Sequence, residues 1–263
     1  MTTLTCKHNA GFFSCCTLGL IAVMKYFNEH KTLPDIFDRS EQFAFFKKDP
    51  TNALDNIVPE FFIEAPGYIP HKGEVIITEE PGEVSFGDYS GFHFEDIAPF
   101  IDTYYALSKK VGDTMDVYKS KYNLDFGNTC AIFYRGNDKK RECDLTPYQD
   151  FIDKAKEIEK EHPGIRFLVQ PDETEFLQAF TAEFPGKCVW FEETPHMRKK
   201  DSAIFYELPP EKKTEHGIFF LAAVLTLARC QYLVTHSGNG GMWAVLYRGN
   251  FEGVHQFRNK HIY

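Results

Sequence analysis

The sequence predicts an α/β protein with a parallel sheet clearest in its C-terminal half. Three observations carry that expectation. From residue 126 onward, short β-prone apolar runs alternate strictly with helical patterns. Each apolar run ends in a polar, turn-forming segment, as parallel strands do where they feed a crossover helix. Finally, a chain of 263 residues is long enough to bury a full core without disulfide or metal staples.

The elements follow in order. Gly11-Phe12-Phe13-Ser14 opens a helix in which Leu18, Ile21, Ala22, Lys25 and Tyr26 recur at helical spacing, with Ser14 as the expected N-cap. Pro34 closes that unit, and Leu33 to Phe37 starts the next strand or turn. Residues 40–90 are rich in Pro, Gly, Asp and Phe, which reads as loops and short elements. Phe94 to Tyr118 reads as one or two helices, with Pro99 near a start. Cys130 to Tyr134 is then a strand, Tyr148 to Glu161 an amphipathic helix stopped by His162-Pro163-Gly164, and Ile165 to Val169 a second strand. Thr174 to Phe184 is a helix stopped by Pro185-Gly186, and Lys187 to Phe191 a third strand. Gly217 to Cys230 is a strongly apolar helix, Tyr232 to Thr235 a fourth strand, and Gly240 to Tyr247 a helix. The shift in pattern near residue 125 divides the chain into an N-terminal lobe, 1–125, and a C-terminal lobe, 126–263.

Composition excludes several functions. Lysine and arginine number 29 against 38 acidic residues, a net charge of −9. The densest basic cluster, Lys139-Lys140-Arg141, is too short for a nucleic-acid face, which needs a basic stripe. The start MTTLTCKHNAGFF lacks the pattern of a signal peptide, and no apolar run reaches the ~18 residues of a membrane span. Seven cysteines without framework spacing read as free thiols, so a cytoplasmic location is expected. The 26 Phe and 13 Tyr, against 2 Trp, read as thick aromatic cores.

In an open parallel sheet, ligands bind beyond the carboxyl ends of the strands. Those ends here are Tyr134 to Lys139, Gln170 to Glu173, Glu192 to His196 and Thr235 to Gly241. The last is the sharpest. Thr235-His236-Ser237-Gly238-Asn239-Gly240 turns straight into a helix, so small residues and a helix N-terminus offer an anion site, with the Thr235 and Ser237 hydroxyls as donors. It is equally what a tight strand-to-helix turn requires. Arg135, beside Asp138, offers a planar guanidinium to a diphosphate, or a surface ion pair. Asp172 can read a hydroxyl or act as a base; Glu173 suits the first turn of the following helix. Cys15 or Cys16 at a helix N-terminus is a rival nucleophile, with His8, His30, His93 or His236 as its base. Cys6, His8, Cys15 and Cys16 lack the spacing of a zinc knuckle, and no metal is expected.

Phe133-Tyr134-Arg135-Gly136-Asn137-Asp138-Lys139 resembles the His-x-Arg-Arg-x-Asp-Lys/Tyr signature of the α1,2-, α1,6- and protein-O-fucosyltransferases. Tyr232 to Gly238, after the apolar helix, is similar to their later Ser/Thr-rich turn, and Asn9 to Ser14 to their glycine-containing first loop. The resemblance implies two Rossmann-like lobes in a GT-B arrangement. It implies metal-independent transfer of a sugar, fucose from GDP-fucose, to a glycan or protein hydroxyl with inversion, and no resident cofactor. It makes Arg135 the diphosphate ligand, Asp138 the support of that turn and Ser237 a phosphate contact. Phe133 replaces the signature's leading histidine, Gly136 its second arginine, and 218–228 carries no carboxylate. The base recognised and the catalytic base therefore stay open, with Asp172 and His8 as the candidates for the latter. The rival reading is a catalytically inactive nucleotide- or carbohydrate-binding protein on the same fold; another phosphate-ester enzyme on a similar sheet is a third.

Overall fold

Continuous apolar strands need two covered faces, and the helices between them supply both. A computed structural model describes residues 1–52, 54–65, 84–198 and 202–260. Its strands are β1 (Thr3–Thr5), β2 (Ile36–Asp38), β3 (Phe62–Ile63), β4 (Ala106–Leu107), β5 (Thr129–Tyr134), β6 (Arg166–Pro171), β7 (Cys188–Val189), β8 (Tyr232–His236) and β9 (Val254–Phe257). Its helices are α1 (Phe12–His30), α2 (Val58–Phe61), α3 (Phe94–Tyr104), α4 (Lys109–Lys121), α5 (Tyr148–Glu161), α6 (Thr174–Glu183), α7 (Ile204–Glu207), α8 (Lys213–Ala228) and α9 (Asn239–Arg248).

The C-terminal half builds a five-stranded sheet in the order β7-β6-β5-β8-β9, every neighbouring pair parallel. The period of two sorts side chains between its faces. Cys130, Ile132 and Tyr134 face α5 and α6 through Phe151, Ile152, Phe176 and Phe180. Ala131, Phe133, Leu168 and Leu233 face α8 and α9 through Leu221, Val224, Trp243 and Val245. The chain runs outward from β5 to β6 and β7, then crosses back to β8 on the other side of β5 and on to β9. The direction reverses between β5 and β8, so the carboxyl ends of those two strands flank the crevice such a sheet opens.

In the N-terminal half, β1, α1 and β2 form one parallel βαβ unit, with Thr3 opposite Ile36. The antiparallel pair β3–β4 lies beside it. Phe12 anchors this half, packing edge-on against Phe46 and Phe61 and tilted against Phe43. The same core continues into Phe220 and Trp243, so α8 and α9 are shared by the sheet and the N-terminal elements.

Two local expectations change, and one strand was not anticipated. Ser14 does not cap α1: the N-cap is Gly11, three residues earlier, and the Ser14 side chain bonds His8 instead. Pro99 lies inside α3, which ends at Tyr104 before a separate α4. Strand β9 joins the sheet edge, although its sequence, Val-His-Gln-Phe, has half-buried side chains and a weak apolar pattern. Part of the 40–90 loop region lies outside the described residues.

Candidate active site

The crevice at the β5–β8 reversal widens into a cavity of about 780 Å³, a size usual for small-molecule sites. Residues 9–14, the ends of β5 and β6, the first half of α8 and residues 202–206 line it.

Arg135 is among the residues that line it. It is two residues past Phe133 on β5, so it projects to the α8 face, where its guanidinium lies 5.8 Å from the Phe220 ring centre. Its Nε donates to Asp172 Oδ2 at 2.9 Å and its Nη2 to Asp138 Oδ1 at 3.2 Å. Gly136 N–H donates to the other Asp172 oxygen at 2.7 Å, and Asn137 Nδ2 to the Asp172 carbonyl at 2.7 Å. The Asp172 side chain is 7% exposed and that of Arg135 23%. Asp172 therefore acts as a brace with both oxygens engaged; it is not a free base. Burial opposes the charge of Arg135, but Asp172 and Asp138 outweigh it and raise its pKa. Burial pushes the Asp172 carboxyl up against the pull of Arg135 and the Gly136 N–H. Asp138 resists burial and ends below its usual value, because Arg135 and Lys139 stabilise its anion.

The turn after β8 divides its residues. Asn239 and Gly240, in the first turn of α9, line the cavity. Asn239 Oδ1 accepts from Thr17 Oγ1 at 2.6 Å, and Trp243 Nε1 donates to that hydroxyl, tying α9 to α1. The other four turn inward. Ser237 Oγ is fully buried and accepts from Gln256 Nε2 and the Asn259 N–H. Thr235 Oγ1 donates to the His236 carbonyl. Gly238, at φ 139°, places its N–H on Ser85 O and Tyr89 Oη. His236 alternates onto the α5 face between Tyr134 and Phe151. There its Nε2 accepts the Arg135 N–H at 2.9 Å and its Nδ1 meets the Ser237 carbonyl at 3.0 Å. These backbone partners fix a neutral Nδ1–H tautomer. Thr235, His236, Ser237 and Gly238 thus shape the loop that aims Arg135, and the sequence expectation of hydroxyls on a phosphate does not match where those hydroxyls point.

Close packing makes this loop intolerant. A Cβ on Gly241 would lie 2.6 Å from Thr235 Oγ1 and 2.7 Å from the His236 carbonyl. Gly241→Ala is expected to cost about 2 kcal/mol, read as a lower thermal midpoint, despite the better helix propensity of alanine.

His8 reaches the cavity wall only through Ser14, with its Nε2 3.0 Å from Ser14 Oγ. Cys15 and Cys16 are fully buried, and burial raises both thiols above their usual pKa, so neither is an activated nucleophile. All seven cysteines are unpaired. Among the described residues no group of three or more His, Cys, Asp or Glu is placed to hold a metal ion, and no helix is long and apolar enough to cross a membrane.

Two lining residues carry no functional role in the sequence reading but stand out in the structure. Gln170 pairs in register with Phe133 and so shares its face; its Oε1 is buried without a hydrogen-bond partner. His216, in the first turn of α8, also lines the cavity with an unpartnered Nδ1. A polar residue at the apolar period of a strand was the available signal for Gln170. His216 had none, because the predicted helix began one residue after it.

A parallel α/β sheet with helices on both faces and a charged crevice at its reversal point defines the class. The chain shares this fold with the fucosyltransferase NodZ from Bradyrhizobium: TM-score 0.57 at 12% identity, over 92% of each chain. A structure of NodZ α-1,6-fucosyltransferase soaked with GDP-fucose matches at TM-score 0.53 and 12% identity, over 94% of this chain and 92% of that one. One co-crystallised with GDP matches at TM-score 0.53 and 11% identity, over 92% and 91%. No protein-family model and no curated protein sequence matches the chain.

Proposed function

We propose that this protein is a glycosyltransferase of the GT-B kind. It moves a sugar from a nucleoside diphosphate sugar, with GDP-fucose as the first donor to test, to a hydroxyl of a glycan or protein. Transfer proceeds with inversion and without a metal. The observation that carries the reading is Arg135, held by two carboxylates at the β5–β8 reversal and opening into a large cavity. The fold shared with NodZ supports it.

In this reading 126–263 is the donor lobe and 1–125 the acceptor-side lobe. The departing diphosphate gathers negative charge. Arg135 and the N-terminal end of α9 at Asn239 and Gly240 stabilise that charge without reorganising. Asp138 and Asp172 hold the guanidinium in one orientation. The seven unpaired thiols fit a reducing compartment, and we place the protein in the cytoplasm.

The test is thermal unfolding with GDP, UDP, ADP and free fucose, followed by GDP release from GDP-fucose with and without a chelator. GDP at 100 times its Kd is expected to stabilise the protein by about 2.7 kcal/mol, and turnover is expected to survive chelation. Stabilisation without turnover would favour the binding-protein reading. No response to any nucleotide would refute both.

A further inference from the structure

Sugar transfer to a hydroxyl releases a proton, and among the described residues the carboxylates lining the cavity are committed elsewhere. Asp172 accepts with both oxygens, Asp138 pairs with Arg135, and Glu142 pairs with Lys139. His8 faces Ser14. His216 is different. Its ring lies nearly parallel to Phe220, at 6.1 Å and 9°, and to Phe46, at 6.3 Å and 12°, so two rings fix its plane. It is 9% exposed and lines the cavity, with Nδ1 buried and unpartnered. Thr214 Oγ1 donates to the Phe46 carbonyl at 2.8 Å and pins the start of α8 against that ring.

We propose that His216 is the proton acceptor of the transfer reaction. The acceptor hydroxyl oxygen bonds to the anomeric carbon of the donor sugar. The bond from that carbon to the diphosphate oxygen breaks, and its electron pair leaves with the nucleoside diphosphate. The hydroxyl proton passes to the imidazole, which releases it to solvent as the product departs. This assignment rests on the glycosyltransferase reading.

The surrounding charges suit the role. Burial, and then the charge of Arg135, hold the His216 pKa down to about 4, so the imidazole is neutral before the donor arrives. Arg135, backed by Asp138 and Asp172, is the charged group that acts on it, while Phe46 and Phe220 cover its faces. A diphosphate on Arg135 offsets that positive field and raises the imidazole's proton affinity. The base therefore strengthens only when a leaving group is in place, and the imidazolium it becomes sits beside the anionic product.

The experiment measures GDP release from GDP-fucose, with water as acceptor, and GDP affinity by calorimetry. His216→Gln is expected to lower the rate by about 100-fold or more, with the GDP Kd within about 3-fold of wild type. The wild-type rate should fall at acid pH, and the variant profile should be flat in that range. In His216→Gly, added imidazole should restore part of the rate, which a packing role would not allow. A His216→Gln rate within about 3-fold of wild type, an unchanged acid limb, or no rescue in a folded His216→Gly overturns the assignment. A wild type that binds GDP but leaves GDP-fucose intact overturns it too, while leaving the nucleotide site standing. A wild type that binds no nucleotide overturns the underlying reading itself.

Discussion

Replacing Arg135 with alanine is expected to weaken GDP binding by about 100-fold, the loss of roughly 3 kcal/mol of charge-assisted hydrogen bonding to the diphosphate. The same change is expected to destabilise the protein. Asp172 is 7% exposed, and without the guanidinium only the Gly136 N–H faces its side chain. Removing one partner of a buried ion pair costs about 3 kcal/mol, or roughly 6–12 °C in the thermal midpoint for a chain of this length. The two effects separate in Arg135→Ala/Asp172→Asn, where the stranded charge is gone. Stability should partly return and GDP affinity should not. Calorimetry at a temperature where each variant is folded checks this. Wild-type affinity in either variant would remove Arg135 from the diphosphate site.

The second large effect is acid sensitivity. Burial is the main cause that holds both His216 and His236 down to a pKa of about 4, against ~6.5 unfolded. Between those values the unfolded chain binds more protons than the folded one, so stability rises with pH. The contribution is complete above pH ~6.5 and shrinks as pH falls toward 4. At pH 5 each histidine has given up about 2 kcal/mol, roughly 4 together. For His236 the structural reason is direct. A proton on Nε2 displaces the Arg135 N–H, the bond that ties β8 to the end of β5. Urea unfolding at pH 7.5 and pH 5.0 reads the difference. His236→Gln should halve the pH dependence even if it lowers stability at both values. An unchanged slope would mean that His236 titrates normally in the fold.

Much of the sheet was legible because its signals are local. β5, α5, β6 and α6 announce themselves through short continuous apolar runs or period-3.6 apolar patterns and through Pro-Gly stops. β9 was not legible, because a half-buried edge strand lacks that contrast. The start of α1 was misplaced because Ser14 looks like a cap while its hydroxyl is taken by His8, six residues away in sequence. Arg135 was legible because a charged residue directly after an apolar strand, followed by glycine, must lie at the carboxyl end of the sheet. Thr235 and Ser237 looked equally suitable, but sequence says nothing of which way a hydroxyl turns, and both turn inward. Asp172 was placed at the site for its carboxylate chemistry; only its partners reveal that it braces Arg135.

The chain by itself determined an α/β fold with a parallel C-terminal sheet, unpaired cysteines and a cluster of polar strand ends, since periodicity, turn residues and composition are properties of neighbouring residues. The tertiary structure alone decided which polar groups meet. His216 and Arg135 lie 81 positions apart, on a helix and a strand end, and converge because α8 crosses back over the sheet at its reversal point. Contacts of that range depend on the path of the whole backbone, which no local pattern records.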